Sequence, residues 1–550
     1  MKNKIIFIST LVFLGCGNNT TNYSNTDSTN EILMSAQFID SPVEGIDYIS
    51  NTRKGVTTIG GYFKYSPNDT YITFKVGNLI LGSISVKDKN FTKVFPANLV
   101  GVDINNTTDE NVIKIIRFLQ SLDEDNNVDN GIYISDVTKN KINAILESNS
   151  TYKINLCDNN ISVIENLVNN LGKKFVLERV ARENYAKTLE TFNIKPTKMP
   201  FITVWKVGKY KNITIPINPN YEYNYTVDWG DGNISRNLND SITHTYAKEG
   251  NYTVKITGKF PAIYFNCNWD NDEIIDDYSA GSNPGINGYP AVIANNEIGL
   301  YSYLDSYLEE LVEIKKWGDI EWESFHHAFA GAINLKIKAT DTPNLKNVKD
   351  MSAAFLRVSE MPDNLGDWNV SSVEDMSYMF MGHYNLNDYP KNKKSISKWN
   401  VSNVKNMRYM FVYNYNFNTN LNEWNVSNVT DMEGMFDFDN AFNQPLDKWD
   451  VSNVTNTSWM FAMTSFNQNI NMWNVSNVTN MQYMFHWATK FNQPLNNWDV
   501  SSVTNMEGMF MAAKSFDQNI SMWDVSNVID YEGFADESPI DGTDKMPHFK

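Results

Sequence analysis

Cysteine is scarce in this chain of 550 residues, which carries three: Cys16, Cys157 and Cys267. That number excludes a disulfide framework and a cysteine-rich zinc module. Cys157 and Cys267 fall in different segments of the chain, which favours two unpaired thiols over one disulfide. Histidine is thin too, at six residues. No His-Glu-x-x-His, Gly-x-Ser-x-Gly or phosphate-binding loop occurs, and nothing among the acids selects a glycosidase pair. The expectation is therefore a protein that is not an enzyme. Basic residues are outnumbered 46 to 64, for a net charge of −18. So acidic a surface repels phosphate backbones and anionic headgroups, which argues against nucleic acid as a partner. Long apolar runs are missing as well. The one marked run, residues 5–14, is too short to span a bilayer as a mature helix.

What is present is periodicity. Trp368, Trp399, Trp424, Trp449, Trp473, Trp498 and Trp523 lie 31, 25, 25, 24, 25 and 25 residues apart, and each is followed by Asn or Asp, Val, Ser, Asn or Ser, and Val. A full unit runs from Phe491-Asn492-Gln493-Pro494-Leu495 through Trp498 and Val500 to Met506, Met509, Phe510 and Ala513. The long spacing carries a charged insertion at residues 391–394, read as a loop. Leu495, Trp498, Val500 and Val503 suit a short inward-facing strand, and the Met and Phe positions recur at three- and four-residue steps that suit one face of a short helix or turn. Val503 stands where a leucine-rich repeat carries Asn, so the usual amide ladder is expected to be absent or altered. No unit could bury these faces alone, and stacked units form a continuous core. The expected architecture is a strand-plus-helix solenoid over 313–535, followed by a polar tail, 536–550. The Met series, always beside Phe, reads as packing and not as a soft-metal ladder.

On the outer side two columns repeat. One is Asn369, Asn400, Asn425, Asp450, Asn474, Asp499 and Asp524; the other is Ser371, Ser402, Ser427, Ser452, Ser476, Ser501 and Ser526. Strand alternation places both on the face away from the core, about 4.8 Å from coil to coil. They are the candidate ligand-binding residues, for glycan or extended protein segments. The bland alternative, a solvated face kept regular by duplication, carries equal weight.

Ahead of the array the chain divides further. Lys2, Lys4, the apolar run and Gly15-Cys16 describe a secretory signal, 1–15. The residues from 16 to 33 are polar and read as a tether. Residues 34–192 read as a β-rich domain, with strands at 37–39, 48–50, 62–65, 71–76 and 81–86 and helices at 109–121, 160–171 and 176–191. Within it Asp123, Asp125, Asn127 and Asp129 alternate before Gly131, the oxygen spacing of a calcium loop. An EF-hand wants Gly and Glu where this chain has Val128 and Ile134, so an acidic turn competes with calcium as the explanation. In 198–260, Gly230-Asp231-Gly232 suits a tight hairpin and Trp229 a sheet-to-sheet anchor. Asp228, Asp231 and His244 read as turn and packing residues. Residues 261–312 connect this segment to the array.

Three resemblances follow from these residues. Val12-Phe13-Leu14-Gly15-Cys16 resembles the lipobox of bacterial lipoproteins, which implies acylation of Cys16 and a lipid anchor at the outer surface of the cell envelope. Val227-Asp228-Trp229-Gly230-Asp231-Gly232, with His244-Thr245-Tyr246, is similar to the PKD domain, a seven-stranded immunoglobulin-like sandwich. The repeats resemble the BspA-like leucine-rich repeat surface proteins, including Mycoplasma-type lipoprotein repeats. That resemblance implies adhesion to an extracellular protein or glycan, with no cofactor and no catalytic residue in the repeat. The fold class expected is multidomain, mixed β and α/β. A structural envelope protein that self-associates is the competing function.

Overall fold

The computed structural model describes residues 33–86, 91–265, 309–358, 360–382 and 395–550. The signal segment, Cys16, nearly all of the tether, Cys267 and the insertion at 391–394 lie outside the described residues. The architecture is multidomain, rich in strands and turns with few helices. No described helix is long and apolar enough to cross a membrane.

The N-terminal unit holds its strands in two main sheets. One pairs Tyr62–Tyr65, Met34–Phe38 and Lys93–Val94; the other orders Lys54–Val56, Asp47–Ser50, Tyr71–Val76 and Leu79–Ser85. Alternation drives both: in Tyr71–Val76 every second residue, Ile72, Phe74 and Val76, is buried. The helix Glu110–Leu122 starts where the Asp109 carboxylate accepts from the Asn111 and Val112 amides at 2.9 and 3.1 Å. Its face of Val112, Ile115, Ile116 and Leu119 is fully buried, as the spacing requires. Helices Ile161–Asn170 and Glu178–Thr191 lie where expected. A further helix, Asp136–Ser148, escapes sequence reading because its buried face is made of Thr138, Lys139 and Ile142.

Six strands between Phe201 and Lys259 form the sandwich. Trp229 is fully buried, and Gly230 and Gly232 take the left-handed φ of 76° and 97° that the Gly-Asp-Gly turn needs. The larger sheet does not end at 260. Leu311–Lys316 pairs antiparallel with Phe201–Val207, and Lys336–Ile337 pairs parallel with Leu311–Lys316. The connecting segment thus closes on a sandwich strand, and one apolar core runs from Phe201 to Ile540.

The array departs from the strand-plus-helix expectation. From 399 onward its described residues hold neither an α-helix nor an extended strand. The strand is reduced to one parallel bridge per coil, linking Asp350, Asp375, Asn406, Asp431, Asn456, Asn480, Asn505 and Asp530 in succession. Where a helix is expected, consecutive turns run instead. In each coil four alternate amides donate to carbonyls of the next coil. Met432, Gly434, Phe436 and Phe438 donate to Asn456, Ser458, Met460 and Ala462, at 3.0, 2.8, 3.1 and 3.1 Å. The same four bonds recur at each of eight junctions, from Phe325 to Asp536. The second and fourth donors at every junction take a left-handed φ: His327, Ala353, Tyr378, Tyr409, Gly434, Trp459, Tyr483 and Gly508 are the second. That conformation turns alternate amides to one side, so all four point toward the C-terminal end. It costs non-glycine residues about 1–2 kcal/mol each; the bonds and the stacked core offset it.

Two units meet through ions. The guanidinium of Arg182, 4% exposed, donates to both carboxylate oxygens of Asp319 at 2.8 and 2.9 Å and to the Thr107 carbonyl at 2.9 Å. A bidentate, fully engaged pair of this kind tolerates burial. Lys316 bonds Glu178 at 3.1 Å beside it.

Candidate functional site

Inward positions hold the coils together. The indole N–H groups of Trp399, Trp424, Trp449, Trp473, Trp498 and Trp523 each donate to the Leu or Ile carbonyl of the preceding coil; Trp449 reaches Leu421 at 3.0 Å. Trp368, first of the series, finds no acceptor among the described residues. Phe411, Phe436, Phe461, Phe485 and Phe510 stack ring on ring at 5.5–5.9 Å. The Met residues between them are fully buried, so their role is packing.

The polar columns stand on the outside, but not on a strand. Each Asn or Asp from Asn369 to Asp524 accepts, through Oδ1, the amide of the Ser two residues on, at 3.1–3.2 Å. They are side-chain-closed turns of the kind short polar residues favour. All seven members of the first column are exposed. The Ser452 and Ser501 hydroxyls and amides hold Asp450 and Asp499 below the usual carboxylate range, and Ser526 does so for Asp524. The ridge is therefore neutral at one end and anionic toward the other.

Two amide ladders flank it, so the customary ladder is altered and not absent. Asn403, Asn428, Asn453, Asn477 and Asn527 each donate to a Ser carbonyl of the preceding coil, at 2.6–2.7 Å; Ser502 interrupts the row. On another face the Asn of each Phe-Asn-Gln accepts the amide of its counterpart in the next coil, as Asn443 does from Asn467 at 2.9 Å. Both were written in the sequence as recurring Asn slots. The missing piece was geometric: Asn beside Val in a turn can reach the neighbouring coil as the customary strand Asn does.

The first ladder borders a depression of about 470 Å³, lined by Asn403, Asn428, Asn453 and Thr430 with Lys349, Glu374 and Lys405. Lys349 and Lys405 both pair with Glu374, at 3.0 and 2.7 Å. A second cleft, about 460 Å³, lies between helix Glu178–Thr191 and the opening coils and reaches Asn369. Amides, hydroxyls and a charged triplet in a shallow trough suit a polar, extended ligand.

The other candidates do not converge into sites. Asp123 accepts from the Asn127 and Tyr133 amides at 2.8 and 3.0 Å, Asp125 from Asn127 and from the Asn130 side chain, and Asn127 from the Asp129 amide. The oxygens that would face a calcium ion thus accept N–H groups of their own loop. Among the described residues no three His, Cys, Asp or Glu side chains gather as metal ligands. In the sandwich, His244 bonds Asp231 at 2.8 Å and stacks on Trp229, while Asp228 caps Gly230. Cys157 is a free thiol, pushed up to about 11 by burial.

Comparison with known families fits this division. Residues 323–392, 387–467 and 449–539 each match the family described as Mycoplasma protein of unknown function, DUF285. The coils over 323–539 thus match DUF285 repeats. Residues 204–262 match the PKD domain, so a PKD sheet carries the DUF285 array on its edge strand. No curated protein and no solved structure matches the chain.

Proposed function

We propose that this is an exported binding protein, held at the outer surface of a bacterial envelope by an acylated Cys16, whose DUF285 array grips an extracellular protein or glycan as an adhesin does. In this reading the array is a solenoid of the BspA-like leucine-rich-repeat kind, with turns in place of its helix. One observation carries the proposal. The inward groups of the coils are consumed by packing and by coil-to-coil bonds, while the outer ridge repeats one polar motif in one conformation from Asn369 to Ser526. A linear, periodic surface matches a linear, periodic ligand, and binding there needs no group of unusual reactivity.

The shared sheet sets the form of the test. Deleting the array would strip Leu311–Lys316 from the sandwich, so point variants of the full chain serve better. Binding to glycan and extracellular-protein arrays, with and without calcium, compares the parent chain with one carrying Ser402→Ala, Ser427→Ala and Ser452→Ala. Loss of a ligand at unchanged melting temperature supports the proposal. Equal binding by the variant removes the ridge as its site, and self-assembly without any ligand favours a structural envelope role.

A further inference from the structure

The one-way bonding of the array leaves its two ends chemically unlike. In every coil up to the last, the four alternate amides find carbonyls in the coil that follows. In the last coil the equivalent amides belong to Tyr531, Gly533, Ala535 and Glu537, and no acceptor faces them among the described residues. The Ile529 carbonyl, whose counterpart on Thr504 accepts the Ile529 amide at 2.8 Å, is likewise unused. The chain after 537 folds back to cap the core: Ile540 is fully buried and Phe549 stacks on Tyr531 at 4.4 Å. It contributes no carbonyl to the row. Gly533, whose exposure is that of its own backbone, is half-buried, whereas Gly434 and Gly508 in the same slot are buried.

We infer that the last coil is a docking edge for an extended, basic peptide segment of another protein, added as one more coil. Edges with unpaired backbone groups are templates for strand addition. This edge is selective, because it offers donors in a row and one acceptor. A second copy of the same edge meets it donor against donor. Ala535 is 2% exposed, which closes its amide to a partner, so the partner must supply carbonyls to Tyr531, Gly533 and Glu537 and an amide to Ile529. The side chains of the coil set the partner's charge: Asp530, Glu532 and Asp536 are exposed, so Lys or Arg on the incoming segment is favoured and a free anion is repelled, although alternating-handed amides by themselves attract anions. The inference stands apart from the ridge, which lies on another face.

The test uses the full chain and residue-resolved hydrogen exchange, with an alternating Lys-Thr peptide, an alternating Glu-Thr peptide and inorganic phosphate as probes. The amides of Tyr531, Gly533 and Glu537 should exchange fast in the free chain and become protected by the Lys-Thr peptide alone. The triple variant Asp530→Asn, Glu532→Gln and Asp536→Asn, which keeps every backbone donor, should weaken that peptide roughly tenfold. Substitutions on the ridge should leave it unchanged. Slow exchange in the free chain overturns the inference, since the edge would already be covered. Protection that grows with protein concentration assigns the edge to a second copy, and equal protection by phosphate makes it an anion site; either overturns it too, as does undiminished binding by the triple variant.

Discussion

The PKD sandwich and the array are joined through one sheet and one core, yet they satisfy their backbones in opposite ways. In the sandwich, strands such as Phe201–Val207 bond to neighbours on both sides, with amides alternating between Gly250–Lys259 and Leu311–Lys316. In the array, four amides per coil all point the same way, and half of them sit on residues with left-handed φ. Extended backbone alternates its amides at no conformational cost; sending them one way requires alternating handedness. The array accepts that strain because each coil is clamped by an indole bond, stacked Phe rings and two amide ladders. Repetition turns a locally unfavourable conformation into a cooperative one.

Several substitutions would sharpen or break this contrast. The largest effect should come from the clamp. Trp449→Ala leaves a buried cavity and should cost about 3–5 kcal/mol in chemical denaturation; Trp449→Phe, which mainly loses the Leu421 bond, should cost about 1–2 kcal/mol. Next come two glycines. A Cβ at Gly434 would run into the Tyr409 ring, whose hydroxyl is held by Glu433 at 2.8 Å, whereas a Cβ at Gly232 in the sandwich meets nothing within 4 Å. Gly434→Ala should therefore destabilise by about 2–4 kcal/mol and Gly232→Ala by about 1 kcal/mol.

The two regions should also respond oppositely to pH. Burial raises Asp437 well above the ordinary carboxylate range and pushes Asp439 up to about 9. An acid raised on folding contributes stability that is complete below its unfolded value, near 4, and is lost as pH rises toward 9. Asp231 in the sandwich is the reverse. Burial raises it, but the hydrogen bonds from His244 and Asn233 win and hold it low, so its contribution is lost as pH falls. His486, lowered to about 4 by burial, weakens the array only below its unfolded value of about 6.5. Between pH 7 and 9 the melting temperature should fall with rising pH, and Asp439→Asn should flatten that slope while Asp231→Asn leaves it. An equal slope in both variants would remove the buried acids as its cause.

The smallest effect is the most specific. Ala353 and Ala354 are adjacent and both buried, but only Ala353 has positive φ, 51°. Ala353→Gly should be near neutral and Ala354→Gly destabilising, a gap of about 1 kcal/mol. Two equal losses would contradict the alternating backbone.

Much of this was legible in the sequence. The tryptophan spacing pointed to the coils and their inward faces; Gly230-Asp231-Gly232 and Trp229 pointed to the sandwich. The helix was misread because Met506, Met509, Phe510 and Ala513 step by three and four residues, which a run of turns bonded three residues apart produces as well as a helix does. Tyr409, Trp459 and Tyr483 at left-handed φ could not be foreseen, since aromatic side chains normally avoid it. The Asn and Asp column lies on the outside for a reason other than the one expected: turn closure, and not strand alternation, exposes it, while Ser371, Ser402, Ser427, Ser452, Ser476 and Ser501 are half-buried. The junction with Leu311–Lys316 was hidden because strand addition across fifty residues leaves no local signal.

The most direct measurement is residue-resolved amide exchange through the central coils. One-way pairing predicts that Met432, Gly434, Phe436 and Phe438 are protected together, in step with Thr457, Trp459, Phe461 and Met463. Protection confined to the bridge residues, with Gly434 and Phe438 exchanging freely, would show that the coils are held by side chains alone and would contradict it.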